Sequence, residues 1–147
     1  MKTTTLNGIG GLHYVQIKNV PFRMSEDKTI GKVIQVDLGD LERLVASEIL
    51  KQKFPLRGQE VYYLRRILAL SMDKFAQALG LTAASVMKWE HARNKRLAPI
   101  NEAAVRSLAA EKLAVDLPGK FSALVGVGQV PKKFVVTWHS SHQRKIA

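Results

Sequence analysis

The stretch that decides the fold runs Ser71-Met-Asp-Lys-Phe-Ala-Gln-Ala-Leu-Gly-Leu-Thr-Ala-Ala-Ser-Val-Met-Lys-Trp-Glu90. Apolar residues recur at helical spacing on both sides of Gly80, and glycine readily forms the sharp turn that ends a helix. Thr82 is a favourable N-cap for a second helix. The stretch therefore predicts two short helices joined by a tight turn. The side chains predicted to pack between them are Phe75, Ala76, Leu79, Leu81, Val86 and Trp89.

The outward positions of the second predicted helix are small, adaptable or cationic, and none of them is acidic. They are Ala83, Ala84, Ser85, Met87 and Lys88. A helix with such a face can enter the major groove of DNA, so the stretch predicts a DNA-binding helix-turn-helix. An ordinary helical hairpin is the alternative, because any two amphipathic helices need a turn.

The charge of the chain points to the same class of partner. The formal net charge is +11, from 23 lysines and arginines against 12 acids. The excess lies in residues 57–98, which surround the helix-turn-helix, and in residues 99–147. A polyanion is the natural partner, and nucleic acid is favoured over a membrane because no basic amphipathic helix with an aromatic edge is present. Solubility alone is the alternative explanation of the charge.

The composition limits the compartment. The chain contains no cysteine, which excludes disulfides and thiolate metal sites and fits a reducing cytoplasm. No apolar run reaches the length of about 18 residues that spans a membrane, and the first residues do not form a signal peptide. We therefore expect a cytoplasmic protein with no membrane partner.

The residues that could carry chemistry are few. Four histidines, His13, His91, His139 and His142, are scattered, and they form no Ser/His/Asp arrangement. His139 and His142 are two candidate metal ligands, but two ligands without a nearby carboxylate make a poor site. We therefore predict no enzyme activity, no bound metal and no cofactor.

The N-terminal part, residues 1–36, is predicted to form a small β region. Residues 13–24 and 32–36 alternate between apolar and polar side chains, which predicts an antiparallel hairpin or a three-stranded sheet. Asn19 suits a turn, and Pro21, which has no amide donor, restricts its strand to a sheet edge.

Residues 37–116 are predicted to form a helical DNA-binding domain. Asp37 or Asp40 caps a helix that ends near residue 53, and a second helix covers residues 58–70 with Arg65 and Arg66 outward. The helix-turn-helix follows, and Asn101 is predicted to cap a last helix that ends near residue 113. Its buried side chains are predicted to be Ala104, Val105, Leu108 and Leu113.

Residues 117–147 are predicted to form a basic C-terminal extension. Residues 133–138 are rich in β-branched and aromatic side chains and predict a strand. Its partner is either the N-terminal sheet or the same segment of a second subunit. Residues 121–126 fit a strand or a helix, because a short apolar run does not distinguish the two.

Residues 71–90 resemble the helix-turn-helix of Xre/Cro-type transcriptional regulators, down to the Trp-Glu pair at Trp89 and Glu90. Residues 56–71, Leu-Arg-Gly-Gln-Glu-Val-Tyr-Tyr-Leu-Arg-Arg-Ile-Leu-Ala-Leu-Ser, are similar to the start of the DNA-binding domain of MqsA-like and HigA-like antitoxins. Residues 11–15 and 37–49 resemble the linker of MqsA-like proteins. The zinc-binding cysteine pairs that often precede this block are missing here, so metal and toxin contacts of a zinc domain are not carried over.

The helix pattern and the resemblance together predict a mainly α fold. It is a four- to five-helix Xre-type helix-turn-helix domain with a small antiparallel β N-terminal part and a C-terminal basic tail that contains a strand. The predicted function is sequence-specific binding of double-stranded DNA as a homodimer, which represses its own operon by reading a palindromic operator with the helix around residues 82–91. The alternative is an antitoxin that binds and neutralises a toxin through its N-terminal sheet or its tail.

The predicted DNA contacts lie on the second helix and in the loop after it. Lys88 is placed to reach a base edge or a phosphate, and the loop cations follow the helix near the DNA backbone. The full set of predicted DNA-binding residues is Ser71, Thr82, Ala83, Ala84, Ser85, Met87, Lys88, Arg93, Lys95 and Arg96.

Overall fold

The structure, a computed structural model, describes residues 2–143. Two units can be distinguished. The sheet unit comprises residues 2–45 and 132–143, and the helical unit comprises residues 46–131. In chain order, the strands and helices of the described residues are β1 Thr3–Ile9, β2 Leu12–Met24, β3 Lys32–Ile34, α1 Leu38–Lys51, α2 Gly58–Ile67, α3 Met72–Ala78, α4 Ala83–His91, α5 Pro99–Lys112, α6 Phe121–Leu124 and β4 Phe134–Thr137.

The sheet unit begins with a β-hairpin of β1 and β2. Ile9 pairs with Leu12, and the two residues between them, Gly10 and Gly11, have φ angles of 55° and 85°. A two-residue hairpin turn with positive φ at both positions matches the right-handed twist of the strands, and glycine adopts it without strain. The sequence analysis did not predict β1, although a Gly-Gly pair between alternating strands is its usual signal.

β2 is the central strand of a four-stranded sheet. It pairs antiparallel with β1 and β3 and parallel with β4. The prediction that Pro21 restricts β2 to an edge is therefore wrong. Pro21 is tolerated because it lies between the residues that pair with β4 and those that pair with β3.

Asn19 lies inside β2 and not in a turn. Its φ angle is 66°, and between Thr4 and Leu6 the register of β1 against β2 shifts, with one extra residue in β2. Such a β-bulge places one residue in the left-handed region, which asparagine tolerates well. The Asn19 side-chain amide donates to the carbonyl oxygen of Trp138 at 3.0 Å, and it thereby holds the chain just beyond β4.

The prediction of a mainly α fold is wrong. The structure is 43% helical and 20% strand, with the four-stranded sheet as a substantial part, so the fold is mixed α/β. The hairpin strand β1, which the sequence did not predict, enlarges the sheet. The strand predicted at residues 133–138 is confirmed as β4, and of its two possible partners it joins the N-terminal sheet beside β2, where Val136 and Trp138 are 4% and 3% exposed. Residues 121–126, left open by the sequence, form the short helix α6.

The helical unit follows the predicted order of helices with local corrections. α5 begins at Pro99 with Ala98 as its N-cap, so Asn101 lies inside the first turn and does not cap the helix. Proline suits this first position because its missing amide would have no partner in the helix. Ala104 is exposed, and the buried side chains of α5 include Glu102, Val105 and Arg106.

Arg106 is the polar centre of the helical unit. Its guanidinium is 1% exposed and donates to five carbonyl oxygens, those of Ile49, Leu50, Gln52, Phe54 and Leu124, at 2.8 to 3.1 Å. It also donates to the buried Glu102 carboxylate, at 3.3 Å to Oε2. Burial lowers the pKa of Arg106 from the usual arginine range, and the Glu102 carboxylate opposes that shift. The contacts add a donor to the carbonyls at the end of α1 and tie them to α5 and α6.

We expect the substitution Arg106→Ala to lower the free energy of unfolding by about 3–5 kcal/mol, because a buried carboxylate loses its buried cation and several buried carbonyls lose a charged donor. Lys112→Ala, at an exposed position of the same helix, is the matched control and should change it by less than about 0.5 kcal/mol. Urea denaturation of both variants measures the difference. Equal midpoints would contradict the central role of Arg106.

Candidate nucleic-acid interface

The two helices predicted around Gly80 are present as α3 and α4. The Ser71 hydroxyl accepts from the amide of Lys74 at 3.2 Å and caps α3, and the Thr82 hydroxyl accepts from the amide of Ser85 at 3.3 Å and caps α4. Gly80 has a φ angle of 72°, and the next amide, that of Leu81, bonds back to the Ala76 carbonyl at 2.8 Å. The predicted cap at Thr82 and the predicted turn are confirmed, and Ser71 caps the preceding helix.

Fewer side chains are buried between α3 and α4 than predicted. Phe75, Ala76 and Val86 are at most 1% exposed, whereas Leu81 is 37% exposed and does not fill the corner. The bond from the Leu81 amide to α3 fixes its backbone but turns the side chain toward solvent. Leu79 and Trp89 are half-buried.

Three of the five α4 residues that were predicted to face outward are exposed. Ala84, Met87 and Lys88 are exposed, whereas Ala83 and Ser85 are half-buried. The Ser85 hydroxyl lies 3.2 Å from the Thr82 hydroxyl, so both oxygens already have a neighbour at the start of the helix. No acidic side chain lies in the first turn of α4.

A buried ion pair holds α4 against α2. Glu90 is 8% exposed and accepts two hydrogen bonds from Arg65, one from Nε at 2.7 Å and one from Nη2 at 2.9 Å. Arg65 also donates to the carbonyl oxygen of Leu70 at 3.1 Å, and its bonds to Glu90 raise its pKa. The prediction that Arg65 points outward is therefore wrong. The sequence could not indicate this contact, because the apolar stripe of α2 gives no sign of a partner 25 residues away.

The loop between α4 and α5 is fixed by the start of α2. The amides of Gly58 and Gln59 donate to the carbonyls of Lys95 and Arg93 at 3.2 and 3.1 Å, and the Gln59 side chain donates to Asn94 at 3.0 Å. A β-carbon on Gly58 would overlap the carbonyl oxygens of Trp89 and Ala92. This close approach explains the glycine and gives the loop a defined path.

The loop presents its cations in two ways. Arg93 and Lys95 are exposed, and within residues 2–143 their side chains form no ion pair or hydrogen bond. Arg96 instead donates to the carbonyl oxygen of Gly126 at 3.0 Å, and its Nη2 lies 3.7 Å from Glu102 Oε1. A groove of about 340 Å³ opens beside them, and its polar lining consists of Lys88, Lys95, Arg96 and Asn101.

The start of α3 differs electrostatically from α4 and the loop. Ser71 is exposed, but Asp73 in the first turn of α3 is exposed as well. A carboxylate two residues after Ser71 lowers the local positive potential. The positive charge of the predicted site is thus concentrated on Lys88, Arg93 and Lys95.

Other candidate sites are weaker. The rings of His139 and His142 lie 5.8 Å apart, and His142 also lies beside Trp138, as in aromatic packing. Across residues 2–143 no group of three or more metal-ligating side chains comes together. In the same part of the chain, every helix is too short or too polar to cross a membrane.

Comparison of the chain with family models, with curated proteins and with solved structures finds no match.

We expect Glu90→Gln to lower the free energy of unfolding by about 1–3 kcal/mol. The substitution replaces a carboxylate that accepts two hydrogen bonds from the largely buried Arg65 with a neutral amide that has one acceptor oxygen. Lys88→Ala, at an exposed position of the same helix, should leave stability within about 0.5 kcal/mol of the wild type. Thermal unfolding by circular dichroism compares the two. If Glu90→Gln melts with the wild type, the ion pair does not hold α4 in place.

Proposed function

We propose that the protein binds double-stranded DNA through the exposed side of α4 and the loop that follows it. The distribution of charge on α4 carries this proposal. Its one acid, Glu90, is buried on Arg65, whereas the cationic Lys88 is exposed. A helix without an exposed carboxylate can enter a DNA groove without repulsion from the phosphates on either side.

The exposed residues of the site suit different parts of DNA. Ala84 and Met87 are apolar and can contact a thymine methyl group, while Lys88 can reach the acceptors of a guanine edge. Arg93 and Lys95 lie beyond the end of α4, where the phosphate backbone passes a helix docked in the major groove. The net charge of +11 supports a polyanionic partner.

We further propose that the protein acts as a homodimer on a palindromic operator, in the cytoplasm and without enzyme activity, and represses its own operon. A single α4 reads only a few base pairs, so two symmetry-related copies would be needed to read an operator. The resemblance of residues 71–90 to Xre/Cro-type regulators supports this biological role.

Neutralisation of a toxin is a second candidate function, and the edges of the sheet favour it. In the part of the chain that the structure describes, β1 and β4 each pair with β2 alone. Unpaired edge strands can accept a strand from another protein. If co-expression of the protein rescues cells from a toxin encoded beside its gene, and does so equally with Lys88→Ala, toxin binding is a separate activity of the chain.

We expect DNA binding to depend strongly on salt. About six phosphate contacts per dimer would give a slope of about −5 in log K against log salt concentration, at roughly −0.9 per contact. Fluorescence anisotropy with a labelled duplex at several salt concentrations measures the slope. Binding that salt does not weaken would contradict an interface built on Lys88, Arg93 and Lys95.

We expect Lys88→Ala to weaken operator binding by about 1–3 kcal/mol and to relax specificity at one base pair if Lys88 reads a guanine edge. If Lys88 meets only phosphate, operator and scrambled duplex should lose affinity together. Ser85→Ala is the milder comparison, because its hydroxyl is uncharged and half-buried. Unchanged affinity of Lys88→Ala on both duplexes would show that this side of α4 does not face DNA.

A further inference from the structure

Arg96 differs from the two cations that precede it in the loop. Its Nη2 donates to the Gly126 carbonyl oxygen at 3.0 Å and lies 3.7 Å from Glu102 Oε1, although the side chain is 43% exposed. Arg93 and Lys95 have no such partners among residues 2–143. The same loop therefore contains one cation directed toward the protein and two directed toward solvent.

The Glu102 carboxylate has one oxygen whose neighbouring cation is Arg96. Glu102 is 0% exposed, and its Oε2 accepts from Arg106 and from the amide of Gly126. Its Oε1 is buried without a hydrogen-bond donor among the described residues, and Arg96 is the cation that lies beside it. If Arg96 moved to a DNA phosphate, this buried oxygen would lose that cation, which is unfavourable.

The segment that Arg96 holds is itself firmly placed. The Val127 amide donates to the carbonyl oxygen of Lys53 at 2.6 Å, and Leu124 accepts from Arg106 at 3.1 Å. A β-carbon on Gly126 would overlap the backbone of Phe54 and Pro55. Residues 124–127 are thus a fixed anchor that does not rely on Arg96.

We propose that Arg96 is a positioning residue: it latches the end of the loop to this anchor, so that Arg93 and Lys95 are held beside α4, and it does not itself contact DNA. The next residue supports the latch, because Leu97 is 4% exposed and its amide donates to the Leu56 carbonyl at 2.9 Å. This inference rests on the proposed DNA-binding function for its consequence, but the latch itself can be tested without DNA.

The test compares Arg96→Ala with Arg93→Ala in the full chain. By native-state hydrogen exchange, Arg96→Ala should speed exchange of the Gln59 and Leu97 amides by about 10-fold. The Gln59 amide bonds to the Arg93 carbonyl of the loop and the Leu97 amide lies at the end of the loop, and the loop is no longer held to Gly126 in this variant. Arg93→Ala should leave both amides unchanged. Unaltered exchange of both amides in Arg96→Ala would overturn the latch, whether or not the protein binds DNA. Loss of cooperative folding in Arg96→Ala would support a structural role.

DNA binding gives the second readout. Arg93→Ala should reduce the magnitude of the salt slope by about 0.9 per protomer, as expected when a phosphate contact is lost. Arg96→Ala should weaken binding to duplex DNA while the slope stays that of the wild type, because Arg93 and Lys95 still reach phosphates in the complex but the freed loop must first be ordered. A slope reduced to the same extent as in Arg93→Ala would show that Arg96 is a phosphate contact. If the wild type binds no duplex, the proposed function fails and the exchange measurement alone decides the latch.

Discussion

The burial of one guanidinium group constrains the whole helical unit. A charge without water is tolerated only when every donor has an acceptor, and Arg106 meets this condition with five carbonyls and a carboxylate. The end of α1, the loop after it, the first turn of α5 and the end of α6 must all take up their positions for those acceptors to converge. The glycine at position 126 is needed for this arrangement, because its peptide lies against Phe54 with no room for a side chain.

Four arginines of the helical unit are directed toward carboxylates, whereas Arg93 and two lysines beside α4 remain at the surface. Arg57, Arg65, Arg96 and Arg106 each lie within 4 Å of a carboxylate, and in all four the planar fork can bond two groups at once. Lys88 and Lys95 have no such partner within residues 2–143, and a flexible ammonium remains hydrated at the surface. The positive surface beside α4 therefore depends on acids that are neutralised internally.

The sequence predicted those features of the structure that depend on interactions between residues close together in the chain. The cap at Thr82, the turn at Gly80 and the exposure of Lys88 all follow from neighbours within a few residues. Two features that the sequence did not reveal involve distant partners: Arg65 bonds to Glu90 and Arg106 bonds to Leu50, and no spacing within a single helix indicates either pair. The pairing of β4, for which the sequence left two partners open, likewise depends on a strand far back in the chain. The unpredicted strand β1 is different, since the Gly-Gly turn that joins it to β2 is a local signal.

The parallel pairing of β2 with β4 has a consequence for the order of assembly. Asn19 and Trp138, which bond across this pairing, are 119 residues apart, so the sheet closes a loop that contains the entire helical unit. Closing so long a loop in an unfolded chain is entropically unfavourable and slow. Within the helical unit, however, Lys53 already meets Val127, which brings the entering and leaving segments together. Once the helices have packed, the loop that remains to be closed between β2 and β4 is effectively shorter. The entropic cost of adding β4 to the sheet is then smaller than in the unfolded chain.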